Sequence, residues 1–314
     1  MRYILVTILP IILIFYSYTS SHYYKKPQAT VIAQIPDWIE NVALRSNGDL
    51  LLSTIGAAKV YSVNPNITPS KPEIVTQIHG VNSLFGITQI ADDVFAVAGG
   101  NFTDFVLYNN TMNLSVLDFK AGDAPAVRTV FETSGYGPIN GMTSLPHAKH
   151  IILGADSMRG EILRIDTSTG VIQVASKDKE LAPSTGAPFP TGVNGLKVLG
   201  NYLYFTSTGY QSLNRVKIDK IGNRIVDYEV IYKFKAGLAP VDFVIDSHGN
   251  AYVACWMDKV AKVTSNGRMT ILSEGLLAGP TAFALSHDEK DLYAVSAGFG
   301  DNISGGQVIR INLP

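Results

Sequence analysis

One phrase stands six times along this chain, and it leaves few folds open. Its clearest copy runs Val193-Asn194-Gly195-Leu196, then a Gly200-Asn201 turn, then Tyr202-Leu203-Tyr204-Phe205-Thr206-Ser207. A polar residue stands at the head, a short apolar strand follows, and a tight turn leads into a second strand. The other copies open at Trp38, Phe85, Ile139, Val241 and Pro280. A period of about fifty residues is the mark of a repeat architecture in which no unit can bury its own faces.

Each copy is followed by a third strand with a basic residue set among apolar ones. Examples are Gly160-Glu161-Ile162-Leu163-Arg164-Ile165-Asp166, Leu213-Asn214-Arg215-Val216-Lys217 and Lys259-Val260-Ala261-Lys262-Val263. A fourth strand appears in places, as in Val171-Ile172-Gln173-Val174. No apolar stripe at helical spacing exceeds two turns. Short strands separated by Gly, Asn and Asp read as antiparallel sheets. The expected fold is therefore all-β, a six-bladed β-propeller of four-stranded antiparallel blades over residues 28–314. The last copy ends on a third-type strand, Gln307–Asn312, with little left for a fourth. Ala29-Thr30-Val31-Ile32-Ala33-Gln34 is predicted to close the ring as that missing outer strand.

Composition excludes several function classes. Hydrophobic residues make up 46% and charged residues 16%, enough to fill a large core and too apolar for a disordered chain. The net charge of −1 gives no field to draw in nucleic acid. Arg2 precedes about fourteen mostly apolar residues, Tyr3 to Tyr16, and then polar Ser17 to Ser21. That order is a secretory signal, expected over residues 1–21. It is short for a span, which takes about 20 apolar residues, so an uncleaved anchor is the alternative. The implied location is the secretory pathway, secreted or lumenal, with no membrane association after cleavage. Five sequons agree, at Asn66, Asn101, Asn109, Asn113 and Asn302. Cys255 is the sole cysteine and lies in an apolar strand, so no internal disulfide forms and a buried thiol is expected. The histidines show no H-x-x-x-H pair, and no G-x-S-x-G elbow is present.

The first strand of each propeller blade lines the central channel, so the residues at the six heads crowd around one mouth. They read Glu40, Phe85-Gly86, Asn140, Asn194, Asp242 and Thr281. Glu40, Asn140, Asn194 and Asp242 are all oxygen donors of the kind Ca²⁺ prefers. Two carboxylates close together repel unless a cation or proton lies between them. The alternative is that each residue only caps its own turn.

These heads, with Val193-Asn194-Gly195-Leu196 and Asp246-Ser247-His248-Gly249-Asn250-Ala251-Tyr252-Val253-Ala254, resemble the regucalcin and gluconolactonase propellers, the SMP-30 family. There a Glu, two Asn and an Asp hold a divalent cation, which implies a metal set of Glu40, Asn140, Asn194 and Asp242. Two blades depart from the family pattern. The fifth reads Val241-Asp242-Phe243 where Pro-Asp-Gly is usual, and Asn140-Gly141 lacks a following Asp. The chain is more closely similar to a fungal branch of this fold through Trp38 to Leu51, Gly86-Ile87-Thr88, Ala98-Gly99-Gly100-Asn101-Phe102, Ile139-Asn140-Gly141-Met142 and Gly154-Ala155-Asp156-Ser157. That branch includes the hetero-Diels–Alderases of tropolone sesquiterpenoid pathways.

The resemblance implies a pericyclic cyclase joining a tropolone o-quinone methide to a humulene-type sesquiterpene. No cofactor is required for that chemistry, and a divalent cation, Ca²⁺ first, is the optional addition. The implied partners are these small molecules, with no nucleic acid, in a monomer or homodimer. Asn140, Asn194 and Asp242 are the expected catalytic donors. Trp38, Phe85, Tyr210, Trp256 and Phe283 are the expected substrate-binding aromatics, with Phe102 and Phe299 further candidates at the mouth. Metal-dependent lactone or ester hydrolysis, with Asp242 as base, is the competing enzyme reading. A non-catalytic secreted propeller that binds a ligand is the third, since fold alone does not fix chemistry.

Overall fold

The computed structural model describes residues 27–104, 106–132, 135–184, 191–300 and 303–313. Six four-stranded antiparallel sheets follow one another around an axis. Their innermost strands are Trp38–Leu44, Ser83–Ala91, Ile139–Leu145, Val193–Leu199, Ala239–Ile245 and Pro280–Leu285, which define blades 1 to 6. Within blades 1 to 5 the strands run outward in chain order. No helix occurs among the described residues.

Closure of the ring follows the sequence expectation. Ala29–Gln34 pairs antiparallel with Gln307–Asn312 and supplies the fourth strand of blade 6. The sheet so formed mixes the two ends of the chain, so neither end can leave without exposing its partner. Ile32, Val308 and Ile309 are fully buried at this seam.

The packing explains the apolar composition. The second strand of blade 1, Leu50–Ile55, is buried along its whole length. A strand covered on both faces reads as a continuous apolar run rather than an alternating one. Outer strands such as Glu73–Gln77 and Ala126–Phe131 carry mostly exposed or half-exposed residues. Among the described residues the core is divided into apolar clusters, several of which join the facing sheets of adjacent blades. Cys255 lies in one of them, fully buried, and burial pushes its thiol up to about 12. A thiol held so far from ionising is a packing residue, not a nucleophile.

Two short hairpins interrupt the regular pattern. Phe102–Thr103 pairs with Val106–Leu107 in blade 2, and Phe299–Gly300 pairs with Ile303–Ser304 in blade 6. The sequons divide by exposure. Asn66 and Asn109 are exposed and Asn101 is half-buried. Asn113 corrects the sequence expectation: it is 4% exposed inside blade 2, between neighbouring strands, and has no room for a glycan. Asn302 and the expected signal segment lie outside the described residues.

Candidate functional site

Every inner strand loses its register at the head. The pairing slips between Ile39 and Asn41, Leu84 and Ile87, Ile139 and Met142, Val193 and Leu196, Pro240 and Phe243, and Pro280 and Ala282. A bulge bends the strand and re-aims a side chain. Six such bulges around one axis turn six heads toward a common space.

The glycines in these bulges allow the inner strands to approach. A Cβ on Gly86 would overlap the Asn140 carbonyl oxygen, one on Gly141 the Asn194 carbonyl oxygen, and one on Gly195 the Asp242 carboxylate. Each glycine thus accepts the bulge of the next blade. The phrase Asn-Gly in the sequence records this contact as much as it records a turn.

The space so enclosed is a cavity of about 340 Å³. Glu40, Asn140, Asn194 and Thr281 line it, with Val241, Thr208, Thr191 and Met158. Trp38, Phe85, Trp256, Phe102, Val106 and Leu107 supply its apolar wall. The rings form one connected group. Trp38 stacks on Trp256 with centroids 6.2 Å apart at 30°. Phe102 meets Trp38 edge-on at 5.6 Å, and Phe299 does so at 4.9 Å. Phe102 and Phe299 come from the two short hairpins, so the hairpins complete the wall.

Glu40 faces the cavity from blade 1. Burial, with the charge of Asp242 behind it, pushes its carboxyl up to about 8, and Trp38 opposes the rise through a hydrogen bond. At neutral pH the group is therefore mainly the neutral acid, able to donate a hydrogen bond. Asn194 Nδ2 donates to Thr208 Oγ1 at 3.0 Å, and Thr208 Oγ1 donates to the Pro240 carbonyl at 2.7 Å. This chain fixes the amide. Its Oδ1 remains buried without a hydrogen-bond partner. An unsatisfied acceptor in a cavity wall is suited to a donor carried by a ligand.

Asp242 is placed differently from the sequence expectation. The slipped pairs in blades 3, 4 and 5 align Asn140, Asn194 and Val241, while Gly141, Gly195 and Asp242 fall together one residue deeper. Val241, not Asp242, therefore faces the cavity. Asp242 is 2% exposed beneath the floor. Lys197 Nζ lies 3.1 and 3.3 Å from its two oxygens, Asn41 Nδ2 donates to it at 2.9 Å, and its own Oδ1 accepts from the Phe243 amide at 2.7 Å. The signal was present in the sequence. Aligning on Pro240 puts Val241 where the resembled family has Asp and Asp242 where it has Gly.

The implied Ca²⁺ set does not fit this arrangement. Of its two carboxyl groups, Asp242 is committed to the Lys197 ammonium beneath the floor, and only Glu40 faces the cavity. A hard dication is held best by several anionic oxygens, and the cavity offers one carboxyl group beside amide and hydroxyl groups. Among the described residues no three His, Cys, Asp or Glu side chains cluster as a metal site.

Two of the expected aromatics lie elsewhere. Phe283 falls after the bulge of blade 6, and its ring packs in the core with Tyr252, Leu272 and Leu292 rather than on the cavity. Tyr210 sits in the turn after the second strand of blade 4, 39% exposed, with Lys233 Nζ 5.8 Å from its ring centroid. Trp38, Phe85 and Trp256 do line the cavity. Sequence reasoning passed over Asn41, Lys197 and Thr208, because no repeat phrase marks them.

No protein-family model matches the chain. Its sequence is 26% identical over 207 residues to a protein of Sarocladium schorii named as a hetero-Diels-Alderase, a match over 59% of this chain and 52% of that one. It is 25% identical over 287 residues to a protein of a Phoma species with the same name, over 81% of each chain. The chain thus spans about half the length of the first relative and most of the second. Among solved structures it is similar to a luciferin-regenerating enzyme, with a TM-score of 0.67 at 13% identity over 91% of this chain and 95% of that one. A gluconolactonase from Xanthomonas campestris superposes with 0.63 at 12% identity over 92% and 90%. A calcium-binding regucalcin from Agrobacterium tumefaciens gives 0.63 at 15% over 91% and 97%. The chain is a six-bladed β-propeller with the fold of the gluconolactonase and regucalcin structures, and its sequence is similar to two proteins named as hetero-Diels-Alderases.

Proposed function

We propose that this chain is an intermolecular hetero-Diels–Alderase that joins a tropolone-derived o-quinone methide to a humulene-type terpene. The observation that carries the reading is the composition of the axial cavity. Its upper wall is a connected set of aromatic rings, and its polar side holds Glu40, Asn140 and Asn194. The sequence likeness to two proteins of that name supports the same reading.

A concerted cycloaddition needs no nucleophile. The protein contributes first by holding two reactants face to face, and such orientation is worth up to about 7–11 kcal/mol in well-aligned systems. The indoles of Trp38 and Trp256 and the ring of Phe85 are the surfaces on which a terpene hydrocarbon loses its water. The second contribution is electronic. As the new bonds form, charge moves onto the oxygen of the heterodiene. The neutral Glu40 carboxyl is placed to donate a hydrogen bond to that oxygen without surrendering its proton, a form of electrostatic stabilisation fixed before the reaction begins. Asn140 is the second donor. Asn194 Oδ1, which lacks a partner, is the acceptor for a substrate hydroxyl.

Lactone hydrolysis is the second reading, supported by the fold likeness to gluconolactonase. It assigns the base to Asp242, whose carboxylate is held under the floor by Lys197. Purified protein incubated with a quinone-methide precursor and a humulene alcohol should raise the adduct yield and give one stereoisomer. A racemic adduct formed equally without protein would overturn the proposal, and turnover of a lactone panel would replace it. We also propose, from the Arg2–Ser21 signal pattern and the sequons, that the protein enters the secretory pathway and acts on small molecules as a monomer or homodimer. Size-exclusion chromatography and fractionation of the producing cell test those two points.

A further inference from the structure

We propose that Lys197 is the resident cation of this propeller: its ammonium balances the axial carboxylate, so the pocket is built to work without a divalent ion. Two independent features carry this. The first is the one-residue displacement in blade 5. It removes a carboxylate from the cavity, where Val241 now stands, and puts Asp242 at the level of the tight glycines. The second is the set of groups that meets it there. Lys197 from blade 4 contacts both carboxylate oxygens, and Asn41 from blade 1 reaches the same group.

The geometry is that of a completed site. Asp242 Oδ1 accepts from Lys197 and from the Phe243 amide, and Oδ2 accepts from Asn41 and Lys197. The Lys197 ammonium also lies 5.6 Å from the Phe243 ring centroid, where the ring face favours a cation. A buried carboxylate with all its acceptors engaged by a cation and two N–H donors has no call for a second positive charge. The arrangement also has a positioning consequence. Asn41 is the next residue after Glu40, so the contact with Asp242 fixes the bulge that turns Glu40 toward the cavity.

The proposal concerns charge balance and stands apart from the choice of reaction, so its readouts are melting temperature and ion binding. In the full chain, millimolar Ca²⁺, Mn²⁺ or EDTA should leave the melting temperature unchanged, and calorimetry should detect no stoichiometric ion. Lys197→Met strands the carboxylate and should lower the melting temperature by about 5 °C. Lys197→Met with Asp242→Asn removes both charges and should recover at least half of that loss. Saturable one-to-one binding of either ion by the wild-type protein would overturn the proposal. So would a double variant as unstable as Lys197→Met, because Lys197 would then act by packing alone. If the single variant yields no folded protein, the double variant decides: a folded double variant supports the charge pairing, and an unfolded one refutes it.

Discussion

Trp38 and Trp256 stack with their ring centroids 6.2 Å apart at an angle of 30°, although they belong to blades 1 and 5. Blade 6 lies between those two sheets in the ring, so the contact is made across the mouth of the channel and not along a blade. Both rings line the cavity, and Phe299 touches each of them edge-on. Removing one indole should therefore damage substrate binding more than the fold. Trp38→Ala is expected to lower kcat/KM for the cycloaddition by about 2 kcal/mol, roughly thirtyfold, from lost apolar contact. Trp38→Phe should retain part of that. A stability loss as large as the activity loss, measured by urea unfolding, would make the residue a core residue instead.

Glu40 should leave a mark on the pH dependence of stability. Its carboxyl is raised from an ordinary 4.5 to about 8 in the folded chain. The folded state then holds a proton that the unfolded state has released, so stability is greatest below pH 4.5 on this account and declines as pH rises toward 8. The face turned to the cavity is open to water, which tempers the loss to about 2 kcal/mol. Glu40→Gln carries no titratable proton and should flatten the profile over that window. Urea melts at intervals from pH 5 to pH 8 give the comparison, and parallel profiles for the two proteins would remove Glu40 from the account.

The fold was legible in the sequence because a propeller repeats itself. Six copies of one phrase set the blade number, and the missing last strand pointed to Ala29–Gln34. Glu40, Asn140 and Asn194 were also legible, since each opens its copy. Asp242 was misplaced by one residue. A bulge makes two residues share one position, and the repeat phrase does not say which of the two faces the axis until the partner strand is known. Lys197 could not be found in this way. Its strand position is unremarkable, and only the depth of Asp242 beside it gives the ammonium a role. Phe283 and Tyr210 were aromatic and near a blade head, but the pleat and the turn sent them elsewhere.

Tight contact between the inner strands predicts an asymmetry among glycines. A Cβ on Gly195 would overlap the Asp242 side chain and crowd its Cα. Gly195→Ala should cost about 2–3 kcal/mol through overpacking and should disturb the pair that Asp242 forms with Lys197. Gly135 meets no atom within 4 Å of an added Cβ, so Gly135→Ala serves as the control and should be close to neutral. Equal effects at the two positions, read from unfolding midpoints, would show that the glycine phrase reflects turn formation and not the approach of neighbouring blades.

Val241→Asp reverses the displacement in blade 5 and should create the cation site that the native cavity lacks. The new carboxylate would face the same space as Glu40, with Asn140 and Asn194 beside them. Two like-charged groups there raise each other's affinity for a proton or a cation, so the variant should be destabilised at neutral pH in the absence of metal. Four oxygen donors around one point are then available to a hard dication. Added Ca²⁺ should raise the melting temperature of Val241→Asp and leave the wild-type protein unmoved, since ligand binding to the folded state alone stabilises it in proportion to the logarithm of ligand concentration. If the variant gains no response to Ca²⁺ or Mn²⁺, the cavity heads are too far apart or too rigid to meet on an ion, and the alignment of Val241 with Asn140 and Asn194 would lose its chemical meaning.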